Sequence, residues 1–118
     1  MKRFMAVFIG TPEAMERSGW NALSEDERKE RTRSGIDAWK QWMQTNKGAL
    51  VDGGSPLGKT KRTSRAGVED TKNAISAYTI VEAPSHEAAA RLFEGHPHFT
   101  IFPGDSVEIM ECLPIPGA

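Results

Sequence analysis

Hydrophobic and polar positions divide the chain into seven segments, and the period within each names its conformation. Residues 3–9 are apolar on both alternating faces, Phe4, Ala6 and Phe8 on one and Met5, Val7 and Ile9 on the other. This predicts a central strand covered on both sides. Ser24 and Glu27 form a capping-box pattern ahead of a long charged run, predicting a helix that ends near Asn46 before Lys47-Gly48. From Glu25 to Ser34 that helix is almost entirely polar. Ile36, Trp39, Trp42 and Met43 then fall on one stripe, so only the second half is expected to dock. Gly35 within it costs ~1 kcal/mol relative to alanine, which points to a tight packing contact.

Residues 49–52 read as a short strand entering the turn Gly53-Gly54-Ser55-Pro56. Lys59 to Arg65 alternates basic and hydroxylated residues, the pattern of an exposed edge strand guarded by charge, and a loop is expected after it. Residues 74–82 repeat the two-sided apolar pattern. Ser85 is the expected N-cap of a second helix with a small-residue stripe through Ala88, Ala89, Leu92 and Phe93, and Gly95 is placed to end it. Ser106 to Leu113 alternates again as a closing strand, and Pro114 and Pro116 stop it. The order strand, helix, strand, strand, strand, helix, strand predicts an α+β ferredoxin-like sandwich: an antiparallel sheet with two helices on one face. One sheet face then stays apolar and wet in a lone chain. At ~25 cal/mol per Å² such a face is costly to expose, so the chain is expected to pair with itself as a homodimer.

Composition narrows this picture. With 118 residues, 38% of them hydrophobic, the chain fits a single domain over residues 1–118. Fifteen basic against sixteen acidic residues give a formal charge of -1, which offers no pull toward nucleic acid or anionic lipid. The lone Cys112 permits no intrachain disulfide and is expected as a small buried thiol in a reducing, cytoplasmic setting. The basic-then-apolar start at Met1-Lys2-Arg3 is too short for a secretory leader, and no run approaches the ~20 apolar residues of a membrane span, so no membrane partner is expected.

Two motifs bear on chemistry. Gly53 to Thr60 satisfies the spelling of a phosphate-binding loop, but that loop needs a helix starting at its lysine, whereas residues 61–65 read as strand and Pro56 removes an amide donor. A glycine-rich strand turn is the better description. The run Glu94-Gly95-His96-Pro97-His98-Phe99 concentrates two imidazoles beside a rigid proline and marks a candidate pocket. Three roles are open to these histidines: a metal pair completed by Asp52 or Asp105, proton transfer by one ring, or structural capping. A third metal ligand is hard to name, with His86 on the second helix and Cys112 isolated, and no metal or cofactor is expected. His96 follows the end of a helix, where carbonyls are expected to raise its pKa. With Asp52 orienting it, the two would form a general acid/base pair, Asp52 being equally readable as a turn residue. Gly53, Gly54 and His98 are the expected substrate-binding residues. Lys59, Lys61, Arg62 and Arg65 lack interleaved aromatic residues, so a solvated edge fits them better than RNA recognition. Trp39 and Trp42 are expected as core or interface anchors.

Several short runs also carry a resemblance: Phe4 to Ile9, Leu23-Ser24 with Glu27-Arg28, Gly48-Ala49-Leu50 with Gly53-Gly54 and Pro56-Leu57, Ala77-Tyr78 with Ile80 to Ala83, Glu87-Ala88, His96-Pro97, and Ser106 to Ile109. In their order and spacing the chain resembles the YCII-related proteins, a family related to the Asp-Gly-Pro-Phe domain proteins. The resemblance implies a dimeric α+β barrel made by packing two ferredoxin-like sheets, with a small pocket in each protomer. It also implies chemistry by a histidine and an aspartate lining that pocket, and a likeness to the wider dimeric-barrel group, whose members include lactone isomerases, lyases and monooxygenases acting on small cyclic molecules. The functional expectation is a small-molecule lyase or isomerase using a histidine acid/base, and the alternative is a non-catalytic ligand-binding or accessory module.

Overall fold

The strands that are apolar on both faces take the centre of the sheet, because only central strands lose water on both sides. In chain order the computed structural model, which describes residues 1–117, runs β1 (Lys2–Ile9), α1 (Pro12–Arg17), a 3-10 turn (Trp20–Ala22), α2 (Glu25–Thr45), β2 (Leu50–Pro56), β3 (Thr60–Ser64), β4 (Gly67–Thr71), β5 (Ile75–Ala83), α3 (His86–Arg91), α4 (Pro97–Thr100) and β6 (Ser106–Glu111). The main sheet has the order β2-β5-β1-β6 with every neighbouring pair antiparallel. This is the ferredoxin-like α+β arrangement, with β1 and β5 inside.

Register fixes which side chains meet. Phe4, Ala6 and Phe8 of β1 stand beside Val81, Thr79 and Ala77 of β5, and together they face the helices. Phe4, Phe8 and Val81 are fully buried there, with Ala89 and Phe93 from the α3 side and Trp39 and Trp42 from α2 packed against them. The opposite face carries Met5, flanked by Ile80 and Met110, and Val7, flanked by Tyr78 and Glu108. On that side Met5 is 36% and Met110 45% exposed, while Val7 at the centre is buried.

The helix starts follow their caps. Ser24 and Glu27 make the reciprocal capping box, the Ser24 hydroxyl accepting from the Glu27 N–H at 3.1 Å and the Glu27 carboxylate from the Ser24 N–H at 2.9 Å. Those bonds hold the Glu27 carboxyl below its ordinary pKa. Two short helices were not expected from periodicity: α1, capped by Thr11 with Pro12 in its first turn, and α4, capped by His96 with Pro97 likewise. Both are too short to show a 3.6-residue repeat, so the cap-then-proline pair was their only signal.

Lys59 to Arg65 is not an edge of the main sheet, and residues 67–71 are not a loop. β3 and β4 form a separate two-stranded ribbon. Its charges explain the pairing: Lys61 lies opposite Asp70 at 2.7 Å and Arg62 opposite Glu69 at 3.0 Å, so the basic run meets an acidic run read backwards. Cys112 corrects another expectation. Its thiol is exposed, because alternation puts Cys112 on the same side as the exposed Met110, away from the helices. Among the described residues, no helix is long and apolar enough to cross a membrane.

Candidate functional site

A cavity of about 460 Å³ lies between the second half of α2 and the β2–β5 side of the sheet. Helical spacing puts Ile36, Trp39, Lys40 and Met43 of α2 along one wall. Ile36, expected to dock, is 45% exposed and borders the cavity instead. The floor is made by residues 53–56 of β2 and 76–79 of β5, and the remaining wall by His98 and Phe102.

The void follows from two glycines. Gly54 has φ +71°, and a Cβ there would run into the Tyr78 carbonyl, so only glycine lets β2 lie this close to β5. Gly53 brings no side chain under α2; a Cβ would stand 2.9 Å from the Met43 methyl. Asp52 fixes the turn, its carboxylate accepting from the Gly54 N–H at 2.8 Å. The Asp52 side chain is therefore spent on the backbone, and it is not part of the cavity wall. At the far end, Phe102 lies across Gly35, where a Cβ would come within 2.5 Å of its ring. This is the packing contact that the helix glycine predicted.

The two histidines part company. His98 meets the cavity and is 7% exposed. Its Nε2 lies 2.8 Å from the Ile9 carbonyl oxygen. A carbonyl only accepts, so Nε2 carries the proton and Nδ1 is the basic nitrogen of the neutral ring. Burial pushes its pKa below 6.5, more than the Ile9 and Ser106 backbone and nearby Asp105 push it back up. Asp105 is held low by Ser106 and by Arg17, 3.0 Å away.

His96 lies behind that wall and is fully buried. Its Nδ1 accepts the backbone N–H of His98 at 3.0 Å, which caps α4. The proton of the neutral ring is therefore on Nε2, and among the described residues this buried nitrogen has no hydrogen-bond partner. It sits in an aromatic cage, with ring centroids of Trp39 at 4.5 Å, Trp42 at 4.7 Å, Phe8 at 5.1 Å and Phe93 at 5.9 Å. Trp42 is itself anchored by its indole N–H donating to the Leu92 carbonyl at 2.9 Å. The expected rise in the His96 pKa is reversed. Burial, aided by the His98 charge, lowers it to about 4. The ring caps the helix after it instead of meeting the carbonyls of the helix before it.

The structure thus brings Gly53, Gly54 and His98 onto one cavity and leaves His96 and Asp52 off its wall. With Nδ1 taken by His98 and Nε2 unpartnered, His96 has no hydrogen bond to Asp52. Lys40 and Phe102 also line the wall without having been expected there; the recurrence of Ile36, Lys40 and Met43 on one helix face was the available signal for the first. His86, at the start of α3, stacks on Phe4 and bonds the Ile109 carbonyl at 2.8 Å, a structural role. Among the described residues, no group of three or more histidine, cysteine or acidic side chains is arranged to hold a metal ion.

No family model matches the chain, and no curated protein does. Among solved structures, the chain is similar to 5-chloro-2-hydroxyhydroquinone dehydrochlorinase (TftG) from Burkholderia phenoliruptrix AC1100, in complex with 2,5-dihydroxybenzoquinone. Identity is 14% over 92% of this chain and 90% of that chain, and the TM-score is 0.48. The fold assignment rests on this chain's own strand order and register.

Proposed function

We propose that this protein binds a small, mainly apolar organic molecule in the cavity beneath α2 and moves a proton on it, as a lyase or isomerase, with His98 as the acid/base. The observation that carries this is a cavity of about 460 Å³ whose wall includes a single imidazole, neutral and fixed in orientation by a backbone carbonyl. A neutral ring can accept a proton from a carbon beside an electron-withdrawing group. Returning it to another atom gives an isomerase, and losing a leaving group from the neighbouring carbon gives a lyase. His96, first in line as proton acceptor on sequence grounds, serves in this scheme as a positioning residue that holds the His98 backbone. Gly53 and Gly54 let the molecule approach the sheet.

A second reading, binding without turnover, is favoured by one specific observation. The Asp52 carboxylate is committed to its own turn, so His98 has no carboxylate from β2 to work with. Hydrogen–deuterium exchange at acidic C–H positions of bound cyclic compounds separates the two. Turnover by His98 predicts exchange that falls ~100-fold or more in His98→Gln, within the usual range for a lost acid/base. Exchange unchanged in that variant overturns the catalytic role, while saturable binding without exchange leaves the binding module.

We also infer kinship with the YCII-related proteins from the sequence runs above, and a homodimer through the uncovered sheet face. The support for pairing is the apolar centre formed by Met5, Ile80 and Met110 on the side away from the helices. Sedimentation of wild type as two chains and of Met5→Lys as one is the expected result; a wild-type monomer overturns it.

A further inference from the structure

The cavity contains one feature that size and apolarity do not explain. Lys40 is the sole formally charged side chain on its wall, no acidic residue lines it, and among the described residues Lys40 has no ion-pair partner. Elsewhere on α2 the situation differs. Lys29 pairs with Glu25 and Arg33 with Glu30, and Arg28 donates to the Trp20 and Asn21 carbonyls. Asp37 stands three residues before Lys40, at a spacing that permits a pair, and no pair forms. The uncompensated ammonium borders a space with an aromatic wall: Trp39 and Phe102 meet edge to face, with centroids 6.1 Å apart and planes inclined at 64°, and form one continuous ring surface beside Ile36 and Met43. His98 at the same wall is neutral, so it does not compete for an anion.

Resting on the pocket reading above, we propose that the ligand is an aromatic monocarboxylate. Its ring packs against Trp39 and Phe102, and its carboxylate pairs with the Lys40 ammonium at the mouth of the cavity. A planar ring matches the aromatic walls by area and by edge-to-face contact. A single negative charge neutralises the one positive charge present, whereas a second would lie against apolar or backbone surface and keep its desolvation cost. A neutral ring of the same shape forgoes the ion pair, which at a partly exposed site is worth up to about 1 kcal/mol.

The test compares 4-hydroxybenzoate with its neutral counterpart 4-hydroxybenzamide, on the intact protein and on Lys40→Met. Affinity is read from amide shifts of Gly53 and Gly54 and the indole shift of Trp39. The benzoate is expected to bind about fivefold tighter than the benzamide to wild type, an advantage that shrinks with added salt and falls to about one in Lys40→Met. Lys40 is exposed, so an unchanged melting temperature is expected for that variant. Equal affinity of the two probes for wild type, or a benzoate preference that survives Lys40→Met, overturns the charge assignment and leaves the pocket reading standing. Binding of neither probe, with no shift at these positions, overturns both.

Discussion

The cage around His96 and the cavity beside His98 share a wall, begin two residues apart in sequence, and are both built on Trp39. In the cage the imidazole is fully buried among the rings of Trp39, Trp42, Phe8 and Phe93. In the cavity, the same helix passes over two glycines, and the space a side chain would have filled stays open. The contrast lies in what stands opposite α2. Where the α3 side offers Phe93, the apolar stripe is consumed by packing; where β2 offers Gly53 and Gly54, it is left for a ligand. A histidine facing packed rings becomes a neutral structural element. The same residue type facing the void keeps access to whatever enters.

Removing each ring in turn should separate the two regions most sharply. His96→Ala empties a fully buried site and leaves the His98 N–H without its acceptor, so a loss of about 4 kcal/mol is expected, in the range for large buried rings. His98→Ala removes a ring with one side on a void and should cost about 2 kcal/mol. Urea denaturation of both variants checks the order. Equal losses would mean that the cage is no tighter than the cavity wall.

Acid should attack the cage next. The His96 pKa is about 4 in the folded protein and near the ordinary 6.5 when unfolded. Between these values the unfolded chain binds the extra proton, so stability rises with pH across this window. It is complete above about 6.5 and is lost as pH falls toward about 4, a swing of about 3 kcal/mol. His98, also lowered, contributes with the same sign. Asp105 acts at lower pH, because its carboxyl is held below its ordinary 3.8 and its stabilisation is lost only as that carboxyl protonates. Denaturant midpoints measured between pH 4 and 7 should show the slope in wild type and a flatter one in His96→Phe. An equal slope in the variant would place the titration elsewhere.

Gly35→Ala tests how the cavity is closed at its far end. The new methyl gains ~1 kcal/mol of helix propensity but presses on the Phe102 ring, a contact costing about 1 to 3 kcal/mol. A net loss of about 1 kcal/mol is expected, together with weaker binding of an aromatic probe as the ring swings into the cavity. Enhanced stability with unchanged binding would show that Phe102 can move aside freely.

Legibility followed the length and continuity of each signal. The central strands and α2 were readable because two-sided apolar runs and a period-3.6 stripe each persist over seven or more residues, and Ser24 with Glu27 announces the start of α2. The β3–β4 ribbon was half-seen: its pairing depends on Lys61-Arg62 meeting Glu69-Asp70 in reverse order, a relation that no single-segment period contains. Gly35 foretold a contact without naming Phe102, since a glycine marks closeness but not the partner. For His96 and His98 the sequence located the region and ranked the rings by proximity to a helix end. Both are buried, and what separates them is that His98 meets the cavity while Trp42, arriving from elsewhere in the chain, and Phe93 close around His96.

The smallest expected effect concerns Asp52, which precedes the glycines of the cavity floor and lies off its wall. Its carboxylate accepts one backbone N–H and is otherwise solvated, so the geometry needs an oxygen acceptor and no charge. Asparagine offers that oxygen, and Asp52→Asn should change stability by no more than about 0.5 kcal/mol, as surface substitutions away from special features do. Alanine removes the acceptor, loosens the turn that holds Gly54 against Tyr78, and should cost about 1 kcal/mol. The pair of variants separates two roles that look alike in any single deletion. If Asp52 only shapes the floor, ligand affinity and any His98-dependent exchange follow stability, intact in Asp52→Asn and reduced in Asp52→Ala. If exchange is lost in Asp52→Asn while stability and affinity hold, the negative charge itself takes part in the chemistry. The turn would then open when ligand binds, bringing the carboxylate to the side of the cavity where His98 already stands.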